Sequence, residues 1–419
     1  ENRLVSLLKR AREEGVDPSE LREEEEEAGF KKEVYWVKHA GTNELEIPMF
    51  LRPTSETAMY TLFPLWIRSH ADLPLKTYQI VNTFRYETKQ TRSFIRVREI
   101  HFFEAHTAHR DEECASRQID EDLEIVSRIM KKLALPTIVS KRPVWDTFPG
   151  AWYTIAIDVI MPNGRTLQVA SCHHYRDQWA KAFDIKYEDE NGEACYVHQT
   201  TYGMSERLLG AIVGTHGDDK GLILPPEIAP FQVVIIPIIR KERSEEILSF
   251  CEGITNQLKD AGIRCKLDSR DIRPGQKYYD WEIKGVPLRL EIGPRDIDNG
   301  TVMSATRLGE KAPLQIDGLS NNVVTKLSEL QESLINNSKG ILDKSVIRVN
   351  DIDELENVSA DSKSIYEIAF EGTDADAEEI ERMTGMTFLG DSMTPYDTEN
   401  KCIITNKMTK RKVYISKTY

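Results

Sequence analysis

The stretch YQIVNTFRYETKQTRSFIRVREI, residues 78–100, joins two apolar runs through a charged loop. YQIVNTF has the composition of a half-buried strand, and FIRVREI follows after the polar loop ETKQTRS. Two such runs joined by a short loop predict an antiparallel pair of strands. Since side chains two residues apart share one face of a strand, we expect Arg85 and Arg96 to point toward the same sheet face, with Glu87 beside Arg85.

These charged side chains suit the recognition of a nucleotide. A guanidinium group is a planar fork that stays charged and matches pairs of phosphate oxygens. Glu87 could accept a hydrogen bond from an amino group such as that of adenine. From the spacing alone, a hairpin with surface ion pairs is the simpler interpretation. A third arginine, Arg207 at the start of the helix predicted from ERLLGAIVG, favours an anion site, because a helix amino terminus also attracts anions.

The composition limits the class of protein. A chain of 419 residues is too long for one ordinary core, so two or three domains are expected. The chain lacks an uninterrupted apolar run of about 18 residues and a signal-peptide pattern, which predicts a cytoplasmic protein without a membrane span. The net charge of −14 argues against bulk attraction to nucleic acid but allows a local basic groove. The six cysteines show no CxxC spacing and are expected to be free thiols.

The pattern of apolar residues changes along the chain. Residues 1–32 predict two helices, and a glutamate rather than a methionine at position 1 suggests that the true amino terminus is missing. Strands are predicted at 33–37, 78–84, 154–161 and 166–172, with amphipathic helices at 56–73 and 111–135 between them. The double proline in LILPP, residues 222–226, predicts a domain boundary. Strands alternate with helices after it, which indicates a small α/β domain that ends with a helix near 320–336.

Several longer motifs make the chain resemble a known family. FRYE (84–87) and GMSER (203–207) are similar to the second and third motifs of the class II aminoacyl-tRNA synthetases. Within that class the chain resembles the prolyl-tRNA synthetases of the archaeal and eukaryotic type. The segments that carry this closer resemblance are LRPTSET (51–57), REIHFFEAHTAH (98–109), HGDDKGLILPPEIAP (216–230), RDIRPGQKYYDWEIKGVPLRLEIGPRD (270–296) and the terminal KTY.

The resemblance implies three domains. We expect an α+β catalytic domain with an antiparallel sheet at residues 1–228, followed by an α/β anticodon-binding domain with a mixed sheet at 229–335. A small α+β C-terminal domain would occupy residues 336–419. In the middle domain, four basic residues and three aromatic ones would form a face for unpaired anticodon bases, with burial of Trp281 in the core as an equal alternative: Lys277, Lys284, Arg289, Arg295, Tyr278, Tyr279 and Trp281.

The resemblance also implies a reaction in two steps. Proline and ATP, with Mg²⁺ on its phosphates, would give prolyl-adenylate and diphosphate, and the prolyl group would then pass to tRNA(Pro). Arg85 would hold the α-phosphate and the carboxylate of proline, and Arg85 and Arg207 would be the catalytic cations. Glu87 would bind the adenine amino group, and Arg96 and Arg207 the outer phosphates. Gln168 and Ser171 would complete the ATP site.

The amino-acid pocket needs an acceptor for a secondary ammonium group and an apolar slot for the ring. By resemblance its residues are Thr54, Glu56, Arg85, Phe102, Glu104 and His173. Two ordinary alternatives stay open. Thr54 and Ser55 could instead cap a helix that begins near Glu56, and His173 could be a core histidine with satisfied hydrogen bonds.

The chain departs from the family pattern at HHYRDQW, residues 173–179. The family usually continues its histidine with leucine, glycine and glutamine, whereas this chain has Tyr175, Arg176 and Asp177. An arginine in place of glycine would crowd the pocket unless its side chain turns outward. The expected function is therefore proline–tRNA ligation with Arg176 outside the pocket. A paralogue that activates another small amino acid, and an inactive tRNA-binding relative, are the alternatives.

Two further expectations come from the family. Many relatives carry a cysteine-bound zinc ion in the last domain, but Cys402 is the only cysteine of this chain after residue 335. Since a structural zinc site needs four ligands, no zinc is predicted. A homodimer is expected from the family rather than from any residue pattern.

Overall fold

The structure is a computed structural model that describes residues 34–356 and 363–419. The helices predicted for residues 1–32 lie outside the described residues. The described chain forms two compact units. The first contains residues 34–127, 137–210 and the described part of 345–419, and the second contains residues 128–136 and 211–344.

The strands in chain order are β1 Trp36–Ala40, β2 Asn43–Phe50, β3 Leu75–Phe84, β4 Glu99–His109, β5 Ile138–Lys141, β6 Tyr153–Ile160, β7 Thr166–Arg176, β8 Lys186–Glu188, β9 Ala194–Tyr196, β10 His198–Ser205, β11 Val233–Pro237, β12 Cys265–Leu267, β13 Leu288–Ile292, β14 Thr301–Thr306, β15 Lys311–Gln315, β16 Val346–Arg348, β17 Ile365–Ala369, β18 Thr387–Ser392, β19 Asn400–Lys401, β20 Met408–Thr409 and β21 Lys412–Ser416.

The helices are α1 Glu56–Met59, α2 Phe63–Trp66, α3 Glu112–Lys132, α4 Gln178–Phe183, α5 Arg207–His216, α6 Ser244–Asp260, α7 Pro274–Ile283, α8 Pro294–Asn299, α9 Leu319–Ser345, α10 Ile352–Glu356 and α11 Asp374–Thr384. Short 3-10 turns cover His70–Asp72, Val144–Asp146 and Lys241–Arg243. Most of the predicted elements are confirmed, but the helix predicted for residues 56–73 is wrong. Two helices of four residues and a 3-10 turn replace it, because Pro64 has no backbone N–H to donate and so interrupts the backbone ladder.

A ten-stranded sheet organises the first unit. Its strand order is β16-β17-β21-β18-β5-β6-β7-β10-β4-β3, and all neighbours are antiparallel except β16 and β17. The antiparallel sheet predicted for the catalytic domain is therefore confirmed. Gly203 on β10 pairs with Glu104 on β4 and with Ser171 on β7, so these three residues lie side by side across the middle of the sheet.

The C-terminal strands belong to this same sheet. β18 pairs with β5 through Asp391 with Lys141 and Ser392 with Ser140. A separate apolar cluster, which includes Phe370, Phe388 and Ile380, packs behind the C-terminal strands. The predicted boundary at residue 336 falls inside α9, and the described part of residues 345–419 groups with the catalytic sheet. The limits 1–228, 229–335 and 336–419 remain a prediction.

The second unit contains a mixed five-stranded sheet, as predicted. Its order is β12-β11-β13-β14-β15, with β11 parallel to β12 and β13 and the remaining pairs antiparallel. Of the residues predicted for its RNA face, Lys277 is buried in the interior, and Trp281 follows the alternative of burial in the core. Lys277 is 2% exposed and donates to the Asp268 carbonyl oxygen, and the Trp281 indole donates to Asp268 Oδ2 at 2.8 Å. None of the helices in the described ranges is long and apolar enough to cross a membrane.

Helix α3 carries a buried carboxyl group. Asp122 is 1% exposed, its Oδ1 accepts from Gln118 Nε2 at 2.8 Å, and its Oδ2 has no partner within the described residues. Burial raises the pKa of Asp122 from 3.8 to about 7. Because the folded state favours the neutral carboxyl group, the contribution of Asp122 to stability is greatest below about pH 4 and is lost as the pH rises through about 7.

We expect Asp122→Asn to raise the free energy of unfolding at pH 8 by up to about 4 kcal/mol, at about 1.4 kcal/mol for each pKa unit. The effect should be smaller at pH 5, about 2 kcal/mol, because the Asp122 carboxyl of the folded wild type is still neutral there and only the unfolded state is ionised. Thermal unfolding at pH 8 and pH 5 tests this, with the exposed neighbour Asp120→Asn as the control. Equal shifts of the unfolding temperature at the two pH values would contradict the interpretation.

Candidate active site

A cleft lies on the face of the sheet formed by β4, β7 and β10, entirely within the first unit. It consists of two adjoining cavities that share six lining residues: Arg85, Phe102, Gln168, Ser171, Gly203 and Arg207. One cavity contains the three arginines predicted for the nucleotide. The other has a volume of about 310 Å³ and contains all six residues predicted for the amino acid.

The backbone holds the arginines in converging positions. Arg85 follows β3 directly, and its Nε donates to the Pro53 carbonyl oxygen at 3.1 Å. Arg207 begins α5, and its guanidinium donates to the carbonyl oxygens of Ile95 at 2.8 Å and Gln168 at 3.3 Å. Burial lowers the pKa of Arg207 to about 10, with further contributions from the positive charges of Arg85 and Arg96. A bound anion would relieve this mutual repulsion.

Arg96 lines the nucleotide cavity as predicted, but its backbone lies in a loop rather than on a strand. The sequence placed it on the returning strand, but β4 begins only at Glu99. Arg96 lies in the preceding loop, where its backbone exchanges two hydrogen bonds with Arg92. Phe94, inside this turn, has a φ of +62°, which marks a tight left-handed bend. The turn rather than strand alternation therefore aims Arg96 into the cavity.

Glu87 lies against the same cavity and contacts Arg96. Its Oε2 accepts from Arg96 Nη1 at 2.8 Å, and its Oε1 accepts from the Lys89 backbone at 3.1 Å. Burial would raise the pKa of Glu87, but the Lys89 amide and the Arg96 guanidinium outweigh it and lower that pKa. Glu87 is therefore an ionised acceptor at neutral pH.

Gln168 lines both cavities, and a hydrogen bond from Arg142 fixes its side chain. Its Oε1 accepts from Arg142 Nη2 at 3.1 Å, and the same guanidinium group contacts both carboxylate oxygens of Asp158 at 2.9–3.0 Å. Arg142 Nη1 also donates to the Leu389 carbonyl oxygen in the C-terminal segment at 2.9 Å. Sequence reasoning missed Arg142, because an arginine before a proline carries no local signal of such a role.

Glu104 presents a buried carboxylate to the amino-acid cavity. It is 5% exposed, and its Oε2 makes no hydrogen bond to the described residues, although His106 Nε2 lies 3.9 Å away. Burial would raise the pKa of Glu104, but His106 and the positive charge of Arg85 contribute to a net lowering. A buried, ionised carboxylate in the wall of a cavity is suited to an ammonium group.

Glu56 and Thr54 form a second polar group in this cavity. Thr54 Oγ1 donates to Glu56 Oε2, and the Tyr175 hydroxyl donates to Glu56 Oε1 at 2.7 Å. The capping alternative for this segment is wrong. Ser55 is the N-cap of α1, yet its side chain makes no capping hydrogen bond, and the Thr54 hydroxyl binds a carboxylate instead.

His173 is fixed by hydrogen bonds and still lines the cavity. Its Nδ1 lies 2.9 Å from Thr154 Oγ1 and its Nε2 lies 3.0 Å from Ser171 Oγ, while the Phe148 ring lies 4.7 Å from the imidazole centre. Burial lowers the pKa of His173 to about 4, so the ring is neutral at pH 7. His173 is therefore both a buried histidine with satisfied hydrogen bonds and a residue of the cavity wall, so each of the two interpretations holds in part.

Arg176 leaves the cavity. Its guanidinium group contacts Glu112 Oε2 at 2.9 Å and stacks on the Trp152 ring, with its central carbon 3.4 Å from the ring centre. Its φ is +50°, a conformation that glycine adopts without strain. Arg176 is absent from the described residues that line either cavity. The substitution of glycine by arginine is therefore accommodated by an outward side chain.

In the described parts of the chain, no group of three or more histidine, cysteine, aspartate or glutamate residues could hold a metal ion. The Cys402 Sγ instead accepts the backbone N–H of Glu371 at 3.1 Å. The absence of zinc stays a prediction.

Comparison with known proteins agrees with this geometry. Residues 35–216 match the tRNA synthetase class II core domain (G, H, P, S and T), and residues 232–329 match the anticodon binding domain. The proline–tRNA ligase of Thermococcus kodakarensis is 49% identical over 95% of this chain and 84% of its own length. That of Pyrococcus horikoshii is 50% identical over 96% and 86%.

Solved structures give the same result. The prolyl-tRNA synthetase of Cryptosporidium parvum, complexed with halofuginone and AMPPNP, has a TM-score of 0.88 and 36% identity over 93% of this chain and 82% of that one. The Giardia lamblia prolyl-tRNA synthetase in complex with prolyl-adenylate has a TM-score of 0.86 and 34% identity, over 93% and 83%. With a class II core, an anticodon-binding domain and relatives of this identity over nearly its whole length, the chain belongs to the prolyl-tRNA synthetase family.

Proposed function

We propose that the chain ligates L-proline to tRNA(Pro) at the expense of ATP. In the first step a carboxylate oxygen of proline attacks the α-phosphorus of ATP, a P–O bond forms, and diphosphate leaves as the bond to the β-phosphate breaks. In the second step the terminal ribose hydroxyl of tRNA attacks the prolyl carbonyl carbon and AMP leaves. The observation that carries this proposal is the junction of a three-arginine cavity with a cavity lined by two buried carboxylates.

Arg85 has the central position in the first step. It lines both cavities, so its guanidinium group can contact the α-phosphate and the carboxylate of proline together. Arg207 and Arg96 hold the outer phosphates, and the positive charges stabilise the charge that develops on the departing diphosphate. Glu87 accepts from the adenine amino group, and Gln168 and Ser171 contact the nucleotide. The chemistry then depends on positioning and charge rather than on a nucleophilic side chain.

The amino-acid cavity suits a secondary ammonium group. Glu104 and Glu56 offer carboxylate oxygens to its two N–H donors, and Thr54 lies beside Glu56. Phe102 contacts the ring, and the neutral His173 closes one wall. A cavity of this kind excludes larger side chains by shape.

ATP enters as its magnesium complex. Mg²⁺ prefers oxygen ligands and keeps several waters, so the protein needs to supply only one or two carboxylates. Glu206 lines the nucleotide cavity, and its Oε2 accepts from the His101 backbone at 3.0 Å. This oxygen chemistry fits Mg²⁺, which would neutralise phosphate charge next to Arg207.

The alternatives have less support from these observations. Arg176, which motivates a paralogue specific for another amino acid, points away from the cavity. Arg85, Arg96, Arg207 and Glu87, which an inactive relative would not need, all line one cavity.

Charging of tRNA tests the proposal. The purified chain is incubated with labelled proline, ATP, Mg²⁺ and unfractionated tRNA, and the acid-precipitable label is measured. We expect label in tRNA that depends on ATP and is released by mild base, as an ester would be. Label from another amino acid but none from proline would contradict the assignment.

The exposed residues of the second unit suit contact with tRNA. Tyr279 is 61% exposed, and Lys284 and Arg295 are also exposed. Stacking of an unpaired base on Tyr279 and phosphate contacts from the two cations would bind the anticodon loop. The loop at residues 87–92 would meet the acceptor end. We place the protein in the cytoplasm, where its free thiols would stay reduced.

We also propose that the chain forms a homodimer. Strand β3 ends the ten-stranded sheet, and its side chains Tyr78 and Ile80 are 72% and 73% exposed. Ile47 on the β1–β2 hairpin is 77% exposed as well. An edge strand with large apolar side chains is a surface that a soluble protein normally covers.

We expect a dimer by sedimentation and a monomer after Ile80→Glu, because a charge on the edge strand would oppose its burial. Val324→Glu, at a 48% exposed position on α9, is the control and should remain dimeric. A monomeric wild-type chain would contradict the proposal.

A further inference from the structure

Tyr175 lies directly beneath the amino-acid cavity. It belongs to β7, where Ser171, His173 and Tyr175 alternate with residues that face helix α3. Ser171 and His173 line the cavity. Tyr175 is fully buried, and its ring lies 6.1 Å from both the His173 and the Phe148 rings. Its position in the strand therefore packs a fully buried side chain against His173 and Phe148, which line the cavity.

The Tyr175 hydroxyl donates a hydrogen bond to Glu56 Oε1 at 2.7 Å. Together with Thr54 on Oε2, it fixes both oxygens of the carboxylate. A carboxylate has about four acceptor positions, so two remain for a ligand in the cavity. Without the hydroxyl, one oxygen would lose its donor and the carboxylate could rotate.

Arg176, the next residue in the chain, does not share the contact of Tyr175 with Glu56. The departure HHYRDQW changes three consecutive residues, Tyr175, Arg176 and Asp177, and Tyr175 is the one that contacts Glu56 in the cavity wall. Arg176 turns to Glu112 and Trp152, whereas Tyr175 turns to Glu56. Tyr175 continues the face of Ser171 and His173, whereas Arg176, with a φ of +50°, leaves the extended conformation at the end of β7.

We infer that Tyr175 is a positioning residue for amino-acid selection, which holds the Glu56 carboxylate in the orientation that receives the ammonium group of proline. This inference rests on the proposed function. It assigns Tyr175 no contact with the substrate, since the residue acts only through Glu56.

The test is proline-dependent ATP–diphosphate exchange by the full chain and its Tyr175→Phe variant. The KM for proline should rise about tenfold, as expected for the loss of a hydrogen bond to a charged group, and the KM for ATP should stay within about twofold. Tyr187→Phe is the matched control. It removes a buried hydroxyl that donates to the Arg110 carbonyl oxygen at 3.0 Å, away from the cavity, and should leave both constants unchanged.

A double-mutant cycle separates positioning from general damage. If Tyr175 acts through Glu56, then Tyr175→Phe should add little to the rise in the proline KM caused by Glu56→Gln. Tyr175→Leu is measured in the same way if the phenylalanine variant loses its unfolding transition.

Two results for the single Tyr175 variant would overturn the inference: an unchanged proline KM, or parallel rises of the proline and ATP constants. Fully additive effects in the cycle would overturn it too. Failure of the unmodified chain to exchange with proline would instead refute the proposed function on which the inference rests.

Discussion

Replacing Arg85 with alanine is expected to lower the kcat/KM of proline-dependent ATP–diphosphate exchange by roughly 10³-fold or more. The loss of one preorganised donor to a developing charge commonly reduces kcat by 10²- to 10³-fold. Arg85 should exceed that range because it lines both cavities and so is placed to bind the nucleotide and the amino acid together.

Two companion variants make the Arg85 prediction sharper. Arg85→Lys keeps the charge but loses the planar fork, so its activity should fall between those of the wild type and the alanine variant. Arg92→Ala changes an exposed arginine of the same loop that lies outside the described lining of both cavities, and should leave exchange unchanged. Near-normal exchange by the alanine variant would refute the role of Arg85.

Replacing Glu104 with glutamine is expected to raise the KM for proline by roughly 30- to 150-fold. The substitution keeps the shape but removes the charge that an ammonium group would meet, and a hydrogen bond between charged groups contributes about 2–3 kcal/mol. Glu104 is buried and lines the amino-acid cavity, so its carboxylate is placed to meet that ammonium group. Glu104 lies outside the described lining of the nucleotide cavity, and the KM for ATP should therefore change by less than about twofold.

Steady-state exchange kinetics with varied proline and varied ATP measure both constants. Glu121→Gln, which removes an exposed carboxylate paired with Lys76 at 2.8 Å, is the control for loss of one negative charge. A Glu104 variant with an unchanged proline KM would show that another group receives the ammonium.

The local part of the fold could be predicted from the sequence. The short apolar runs at β3, β6 and β7 predict strands from a few neighbouring residues each. The apolar segment at α5, which glycines follow, predicts a helix in the same way. The residues of the two cavities were found through motifs, because the family resemblance fixes which residue types meet. Geometry then placed Arg96 in a turn rather than on a strand.

Contacts distant in sequence could not be predicted. The Ser140 hydroxyl on β5 donates to the Leu389 carbonyl oxygen on β18, 249 residues away, and no local sequence pattern encodes a contact of that kind. From the sequence alone, Tyr175 is an ordinary aromatic residue of a strand. The structure shows that its hydroxyl donates a hydrogen bond to Glu56, 119 residues away. Lys277 was predicted to lie on the basic face for RNA, but it is buried, and the Asp268 carbonyl oxygen supplies the acceptor that a buried lysine needs.

Amino-acid-dependent ATP–diphosphate exchange, run with all twenty amino acids on the purified chain, tests the central claim most directly. It measures adenylation without tRNA, and so reports on the two cavities alone. The account predicts exchange with proline far above that with any other amino acid. Exchange driven by a different amino acid, or none with proline, would contradict the assignment of Glu56, Glu104 and His173 to a proline pocket.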